Sequence, residues 1–486
     1  MYDATHVTRD VDSLFCPGLV PVACVALALV AVWAGIALNY RAVGRWGATS
    51  ARSARGSTSS RAGWAALGLP PRAARLYHEA MRVGRGWIMA LSLANMGLFF
   101  GYIGPLQVLL PNQVQDIDSA HKALKLGLVT GIGAAVALVT GPAAGALSDA
   151  TGSRFGRRRP WIAGGAVAGA AGLALLSGQR TILGVTIAWC LAQAGLNCMQ
   201  AGVTALVPDR VPVTQRGAVS GWSGLSQTIG VILAVVLVSD LITGQVPAYL
   251  ALGVLVMAAA VPILRAPDPQ VPRDQLPVFE ARAVVRAFRF SPRRYPDFSW
   301  AWATRFLVQL GNSMMILYLL YFLRDKVRYQ QLFPGHKAEQ GLLILIVIYT
   351  LATVATVVIG GVLSDRSGRR KPAVMFAGVV MAAAAVPLAA WPVWTGAIIA
   401  AAVLGLGYGV YASVDQALVT QVLPADADRA KDLGIINIAN SAPQVLAPAL
   451  AAPIVTYLGG YPALFGTVAA ATVAGSVFVT KIRSVR

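Results

Sequence analysis

Apolar residues occupy this chain in long blocks, and the polar residues between them are mostly arginines. No charged residue falls within Gly18–Tyr40, Gly86–Gln115, Leu126–Ser148 or Thr181–Pro208. Each block has the ~20 residues that a helix needs to cross a bilayer. The pattern predicts spans at 18–39, 87–111, 126–148, 160–178, 181–207, 217–239, 241–264, 298–323, 340–363, 372–391, 394–423, 433–457 and 461–480. Two longer uncharged runs divide at Trp391-Pro392-Val393-Trp394 and at Gly459-Gly460-Tyr461-Pro462, because such clusters break helices and Trp and Tyr favour the interface. The expectation is an all-α membrane protein of thirteen spanning helices.

Composition agrees. Hydrophobic residues make up 56% of the 486 positions and charged residues only 12%, against roughly 25% charged in soluble domains. That excludes soluble, disordered and disulfide-scaffold classes. A net charge of +20 would suit a nucleic-acid binder, but the basic residues alternate with apolar 20-mers. They are a topology signal, so the expected partner is the lipid bilayer and not nucleic acid. Four cysteines form no CxxC or His-Cys cluster, and His6, His78, His121 and His336 fall in loops or tails. No metal or other cofactor is expected. No enzyme motif and no Walker loop stands in the chain, so neither catalysis nor ATP-driven work is expected.

Arginine asymmetry orients the chain. Arg154, Arg157, Arg158 and Arg159 occupy loop 149–159, and Arg366, Arg369, Arg370 and Lys371 occupy loop 364–371. Seven arginines lie in 265–297, whereas 392–393 and 458–460 carry none. The basic loops are expected in the cytoplasm of a plasma (inner) membrane protein, with 324–339 resisting the rule through Arg324, Lys326, Arg328 and Lys337. Asp3, Asp10 and Asp12 precede the first helix and nine arginines follow it within 41–86, so its N-terminus is expected outside. No basic segment precedes that helix and no small-residue cleavage site follows it, so it does not read as a signal peptide.

The chain repeats itself. Gly145-Ala-Leu-Ser-Asp149 matches Gly361-Val-Leu-Ser-Asp365, and both run into an arginine cluster and a proline, Pro160 and Pro372. Leu206-Val-Pro208 matches Val422-Leu-Pro424, and the step from aspartate to proline is 59 residues in both copies. Two duplicated six-helix halves follow. The expected organisation is an extra N-terminal helix at 1–40, a basic cytoplasmic linker at 41–86, and a six-helix bundle at 87–264. A cytoplasmic central loop at 265–297 then leads to a second bundle at 298–486.

These residues resemble the signature loop of the major facilitator superfamily. Ser153-Arg-Phe-Gly-Arg-Arg-Arg-Pro-Trp-Ile162 and Gly434-Ile-Ile-Asn-Ile-Ala-Asn-Ser-Ala-Pro-Gln444 are similar, more narrowly, to segments of the sucrose–proton symporters and their glycoside-transporting relatives. The resemblance implies two bundles rocking about a central site, open to one face at a time. It makes Gly145, Asp149, Arg157, Arg158, Gly361, Asp365, Arg369 and Arg370 gate elements. It also implies a cavity lined by core helices one, four, seven and ten, with Asn95 on the first of them.

Polar side chains inside a bilayer face a cavity or a partner helix. Gln193, Asn197 and Gln200 share one face of the fourth core helix, and Arg305, Gln309 and Asn312 one face of the seventh. Tyr408, Tyr411 and Asp415 share a face of the tenth, and Asn437, Asn440 and Gln444 a face of the eleventh. Amides, phenols and one ion pair suit a polar, mostly uncharged small molecule such as a sugar or glycoside; interhelical hydrogen bonding is the alternative. Arg305 and Asp415 both lie roughly 12 Å in from the basic face, a depth that favours a salt bridge. Asp415 is the embedded carboxylate that could carry a proton.

The sucrose symporters hold an aspartate four residues before an asparagine on the fourth helix. Aligned on Asn197, Gln193 stands in its place, and glutamine does not titrate. Either coupling has moved to Asp415, or the protein is a uniporter, or the departure tells against that branch. The expectation is a monomeric secondary transporter. Proton-driven efflux of a drug or metabolite is the rival, favoured by a Met- and Phe-rich cavity, and a non-transporting membrane sensor is the third reading.

Overall fold

The computed structural model describes residues 83–266, 295–367, 370–422 and 429–483. The expected first helix at 18–39, most of the linker at 41–86, most of the central segment at 265–297, and Arg369 lie outside these residues. Among the described residues there are helices and turns and no strand.

Among the described residues twelve long helical rods follow one another, each where an apolar run predicted it. In the first half, α1 is Arg85–Gly104, extended through a π-turn at Pro105–Leu109 to Leu110–Ile117. Then come α2 Lys122–Asp149, α3 Arg159–Ser177, α4 Ile182–Arg210, α5 Val213–Val236 and α6 Gln245–Arg265. In the second half, α7 is Pro296–Leu317, continued after a 41° bend by Leu319–Asp325. It is followed by α8 Ala338–Ser367, α9 Arg370–Ala383 with its continuation Ala385–Ala390, and α10 Trp394–Val422. The last two are α11 Arg429–Tyr457 and α12 Gly460–Phe478. Ten of the described helices are long and apolar enough to cross a membrane, eleven if the bent α7 is one span.

Each half packs on itself. In the first, α3 lies against α4 and α6, and α1 against α5 and α6; in the second, α8 and α9 lie against α10, and α7 against α11 and α12. The halves meet where α2 crosses α11 and α5 faces α8. Small residues permit the closest of these approaches. Gly165, Gly169 and Gly172 form one stripe of α3, and a Cβ on Gly165 would strike the backbone at Met199 and Gly195 of α4. Without a hydrophobic drive between helices in lipid, such backbone proximity is a main source of packing energy.

Candidate functional site

A cavity of about 440 Å³ lies between the halves, bounded by α1 and α5 on one side and α7 to α10 on the other. Its wall is largely apolar, with Phe99, Met315, Leu345 and Leu404 among the large contributors. The polar groups are few: Gln107, Gln227, Thr228, Tyr349, Thr350, Thr353 and Tyr408. Gln107 sits on the π-turn that follows Pro105, a distortion common at functional sites. Its Oε1 is buried without a hydrogen-bond partner.

Behind the cavity lies a chain of tyrosines. Tyr349 and Tyr408 ring centroids are 6.0 Å apart, and Tyr408 and Tyr411 are 6.2 Å apart. Gln309 of α7 adjoins Tyr408, and Asn312 adjoins Tyr349. The Gln309 Oε1, Asn312 Oδ1 and Tyr411 Oη are buried, beside Tyr408, Tyr349 and Asp415 respectively. Gln309 and Asn312 of α7 and Tyr411 of α10 thus lie just behind the cavity wall. At the end of the row, Arg305 NH2 donates to Asp415 Oδ2 at 2.7 Å, with the residues 7% and 4% exposed. The pair expected from equal depth on α7 and α10 forms.

The first-half amides are placed differently. Asn197 Nδ2 donates to the Gln193 carbonyl at 2.8 Å and to Gln193 Oε1 at 3.2 Å. Gln200 Oε1 accepts from Tyr102 Oη at 3.1 Å. Asn95 donates to the Leu91 carbonyl at 3.0 Å and accepts from Gln227 Nε2 at 3.3 Å. These side chains bond one another, the backbone, or Tyr102 and Gln227, and none of the four lines the cavity. Of the eight candidate substrate ligands, Tyr408 lines the cavity, Gln309 and Asn312 back it, and Tyr411 lies one turn deeper. Of the eleventh-helix stripe, Gln444 is exposed.

At the basic face the first-half motif is a closed cluster. Arg158 donates from Nε to Asp209 Oδ2 at 2.8 Å, from NH2 to Asp149 Oδ1 at 2.5 Å, and from NH1 to Ser148 Oγ. Arg157 NH2 reaches the same Asp209 Oδ2 at 2.7 Å. Burial opposes the Arg158 charge, but its bonds to Asp209 and Asp149 outweigh that and raise its pKa above the ordinary arginine value. Asp209 was missed from the sequence, although it directly follows the repeated Leu206-Val-Pro208. Gly145 offers its carbonyl to Ser148 Oγ at 2.9 Å, and a Cβ there would meet nothing within 4 Å among the described residues. In the second copy, Gly361 and Asp365 lie on the final turns of α8, and Arg370 opens α9.

The opposite face is sealed by polar bonds between the halves. Arg324 NH2 donates to Glu339 Oε1 at 2.6 Å and to Asn112 Oδ1 at 2.5 Å, and Asn112 Nδ2 donates to Glu339 Oε1 at 2.8 Å. Lys122 pairs with Asp325 at 2.6 Å, and Tyr461 Oη donates to Asp325 Oδ2 at 2.8 Å. Tyr321 and Tyr318 donate to the Pro111 and Ala123 carbonyls. Arg324, whose charge resisted the topology rule, is thereby neutralised in place by Glu339. Most of these bonds start from the bent outer segment of α7 or from Tyr318 at its bend.

Comparison with known proteins follows the fold. The family model described as Major Facilitator Superfamily matches residues 123–336 and 335–485. No curated protein matches the chain. Among solved structures, the chain is similar to a point mutant of the nucleoside transporter NupG, with a TM-score of 0.65 and 13% identity. That alignment covers 82% of this chain and 99% of the other. At such identity the likeness concerns the fold.

Proposed function

Because the chain belongs to the major facilitator superfamily, a family of secondary transporters, we propose that it moves a neutral, hydroxyl-bearing small molecule, a sugar or glycoside, across the plasma membrane. The observation that carries this reading is the inter-bundle cavity, where Gln107, Gln227, Tyr349, Tyr408 and three threonines stand in a largely apolar wall. Amides and phenols exchange hydrogen bonds with hydroxyls, and apolar surface covers a ring face. Among the described residues the cavity lining is uncharged, with amides, hydroxyls and phenols as its polar groups, which suits a neutral substrate. The basic face is assigned to the cytoplasm by its arginines, and the sealed face is the outer one.

Coupling is assigned to Asp415. It is reached from the cavity through Tyr408 and Tyr411, and Arg305 holds it in the resting pair. Proton-driven efflux of an apolar drug or metabolite is the second reading, favoured by the apolar majority of the wall. Uptake of a radiolabelled panel of sugars, glycosides, nucleosides and apolar drugs by proteoliposomes, with and without a pH gradient, separates them. Gradient-dependent accumulation of a glycoside supports the first reading. Transport of apolar compounds alone replaces it with the second.

A further inference from the structure

A second cavity, of about 520 Å³, opens on the sealed face and is lined by residues of the first bundle. Three chain ends frame it: the last segment of α1, the turn from α3 to α4, and the start of α6. Its lining is mostly polar, with Asp116, Ser177, Gln179, Arg180 and Gln245 around a floor formed by Gln113. Gln113 is buried and serves as a tie. Its Nε2 donates to the Leu176 and Gln179 carbonyls at 2.8 and 2.9 Å, and its Oε1 accepts from Tyr249 Oη at 2.9 Å. These bonds hold α1, α3 and α6 together and fix the shape of the hollow. Asp116 and Arg180 are exposed, and among the described residues neither side chain carries a hydrogen bond or an ion pair. One acidic and one basic group thus flank a polar hollow with their charges unanswered.

The hollow opens beside lipid-facing surface. Val246 lines it and is 48% exposed, and Leu250, Val254, Met257 and Val261 continue the same exposed face of α6. From Val246 to Val261 that face runs roughly 22 Å, more than the ~15 Å of hydrocarbon in one leaflet. Leu175 of α3 and Leu183 of α4, also exposed, flank the rim. We propose that this cavity seats the headgroup of an outer-leaflet phospholipid that bears an ammonium, with the phosphate against Arg180, the ammonium against Asp116 and the acyl chains along α6. Exposed ion pairs alone hold a free zwitterion weakly. A lipid confined to the leaflet has the effective concentration that a free solute lacks. The site also touches the gate. Segment Leu110–Ile117 gives Gln113 and Asp116 to the hollow, while its Asn112 and Gln115 accept from Arg324 in the seal at 2.5 and 3.2 Å. A seated headgroup therefore braces the helix that carries the first bundle's share of the seal.

The test is native mass spectrometry of the full chain in mild detergent, given equal amounts of phosphatidylethanolamine and phosphatidylglycerol with identical acyl chains. Both lipids carry the phosphate, and only the first carries the ammonium. The unaltered chain retains phosphatidylethanolamine in preference, and that lipid raises its thermal midpoint more than phosphatidylglycerol does. Asp116→Asn lowers the preference about two- to five-fold, as loss of one exposed ion pair allows, and Arg180→Gln weakens retention of both lipids. Free phosphoethanolamine at the same concentration displaces neither. A preference unmoved by Asp116→Asn, in protein that keeps its thermal transition, overturns the proposal. Displacement of the lipid by free phosphoethanolamine at equal concentration overturns it in favour of a soluble zwitterion.

Discussion

Asp415 and Arg305 are the charges that the interior could least tolerate singly, since breaking one partner of a buried pair costs about 3–5 kcal/mol. Both are nearly inaccessible and bonded at 2.7 Å. If the pair couples proton entry to transport, Asp415→Asn abolishes uphill accumulation yet keeps substrate exchange. Asparagine retains the shape and a hydrogen bond but cannot change charge. Exchange and pH-driven uptake, measured on the same proteoliposomes, decide the point. Retained accumulation in Asp415→Asn removes the coupling role. A purely structural pair instead makes Asp415→Asn and Arg305→Gln each lower the thermal midpoint, with recovery in the double variant.

The pair was legible in the sequence because depth follows from counting residues inward from a loop. The use of the α4 amides was not. A helical stripe gives the face on which Gln193, Asn197 and Gln200 lie, but not what the fold sets opposite; here it sets Tyr102 and the amides themselves. Tyr349, Thr353 and Thr356 share the same spacing on α8 and drew no notice. Threonine hydroxyls usually bond their own helix at i−4, as Thr353 does to Tyr349 and Thr356 to Ala352.

At the scale of elements, the long apolar runs located the helices, with ends shifted by up to six residues, while their internal breaks stayed hidden. The bend of α7 at Tyr318 lies in continuous apolar sequence, where composition carries no mark of geometry, whereas the π-turn of α1 opens at Gly104-Pro105. Close packing of α3 on α4 depends on backbone contact at Gly165, Gly169 and Gly195. Gly195→Leu forces these helices apart and lowers the thermal midpoint and the yield of folded protein. A conservative Val203→Ile on the same helix has much less effect, and a thermal melt in nanodiscs compares them.

The outer segment of α7 belongs to this scale too. Its Asp325 pairs with Lys122 of the other half, and the side chains are partly exposed, so the pair contributes about 0.2–1 kcal/mol. That is enough to shift a balanced two-state equilibrium up to several-fold. Lys122→Asp and Asp325→Lys each raise the outward-open population, read as labelling of an outer-cavity cysteine at Leu345. The exchanged double variant restores it. Labelling unchanged in both single variants would remove the pair from the gate.

At the scale of the whole molecule, the duplication visible in Gly145–Asp149 and Gly361–Asp365 becomes two bundles, and only a few helix pairs join them. Arginine asymmetry predicts the topology, and that prediction has a direct check. Cysteines at Thr151 and Ser367 resist a membrane-impermeant maleimide in intact cells; labelling of either reverses the orientation. What loops and charges could not tell is which face the structure seals. That depends on pairs such as Arg324 with Asn112 and Lys122 with Asp325, which join residues distant in sequence.

Alternating access requires this seal to open in every cycle. In a variant whose native cysteines are serines, cysteines at Lys122 and Asp325 are joined by a short, reducible bifunctional thiol reagent, and uptake is measured before and after reduction. The account predicts that bridging α2 to α7 stops transport almost completely and that reduction restores it, while either single cysteine treated alike stays active. Full transport with the bridge in place would contradict it, because the substrate would then cross without the bundles parting at this face.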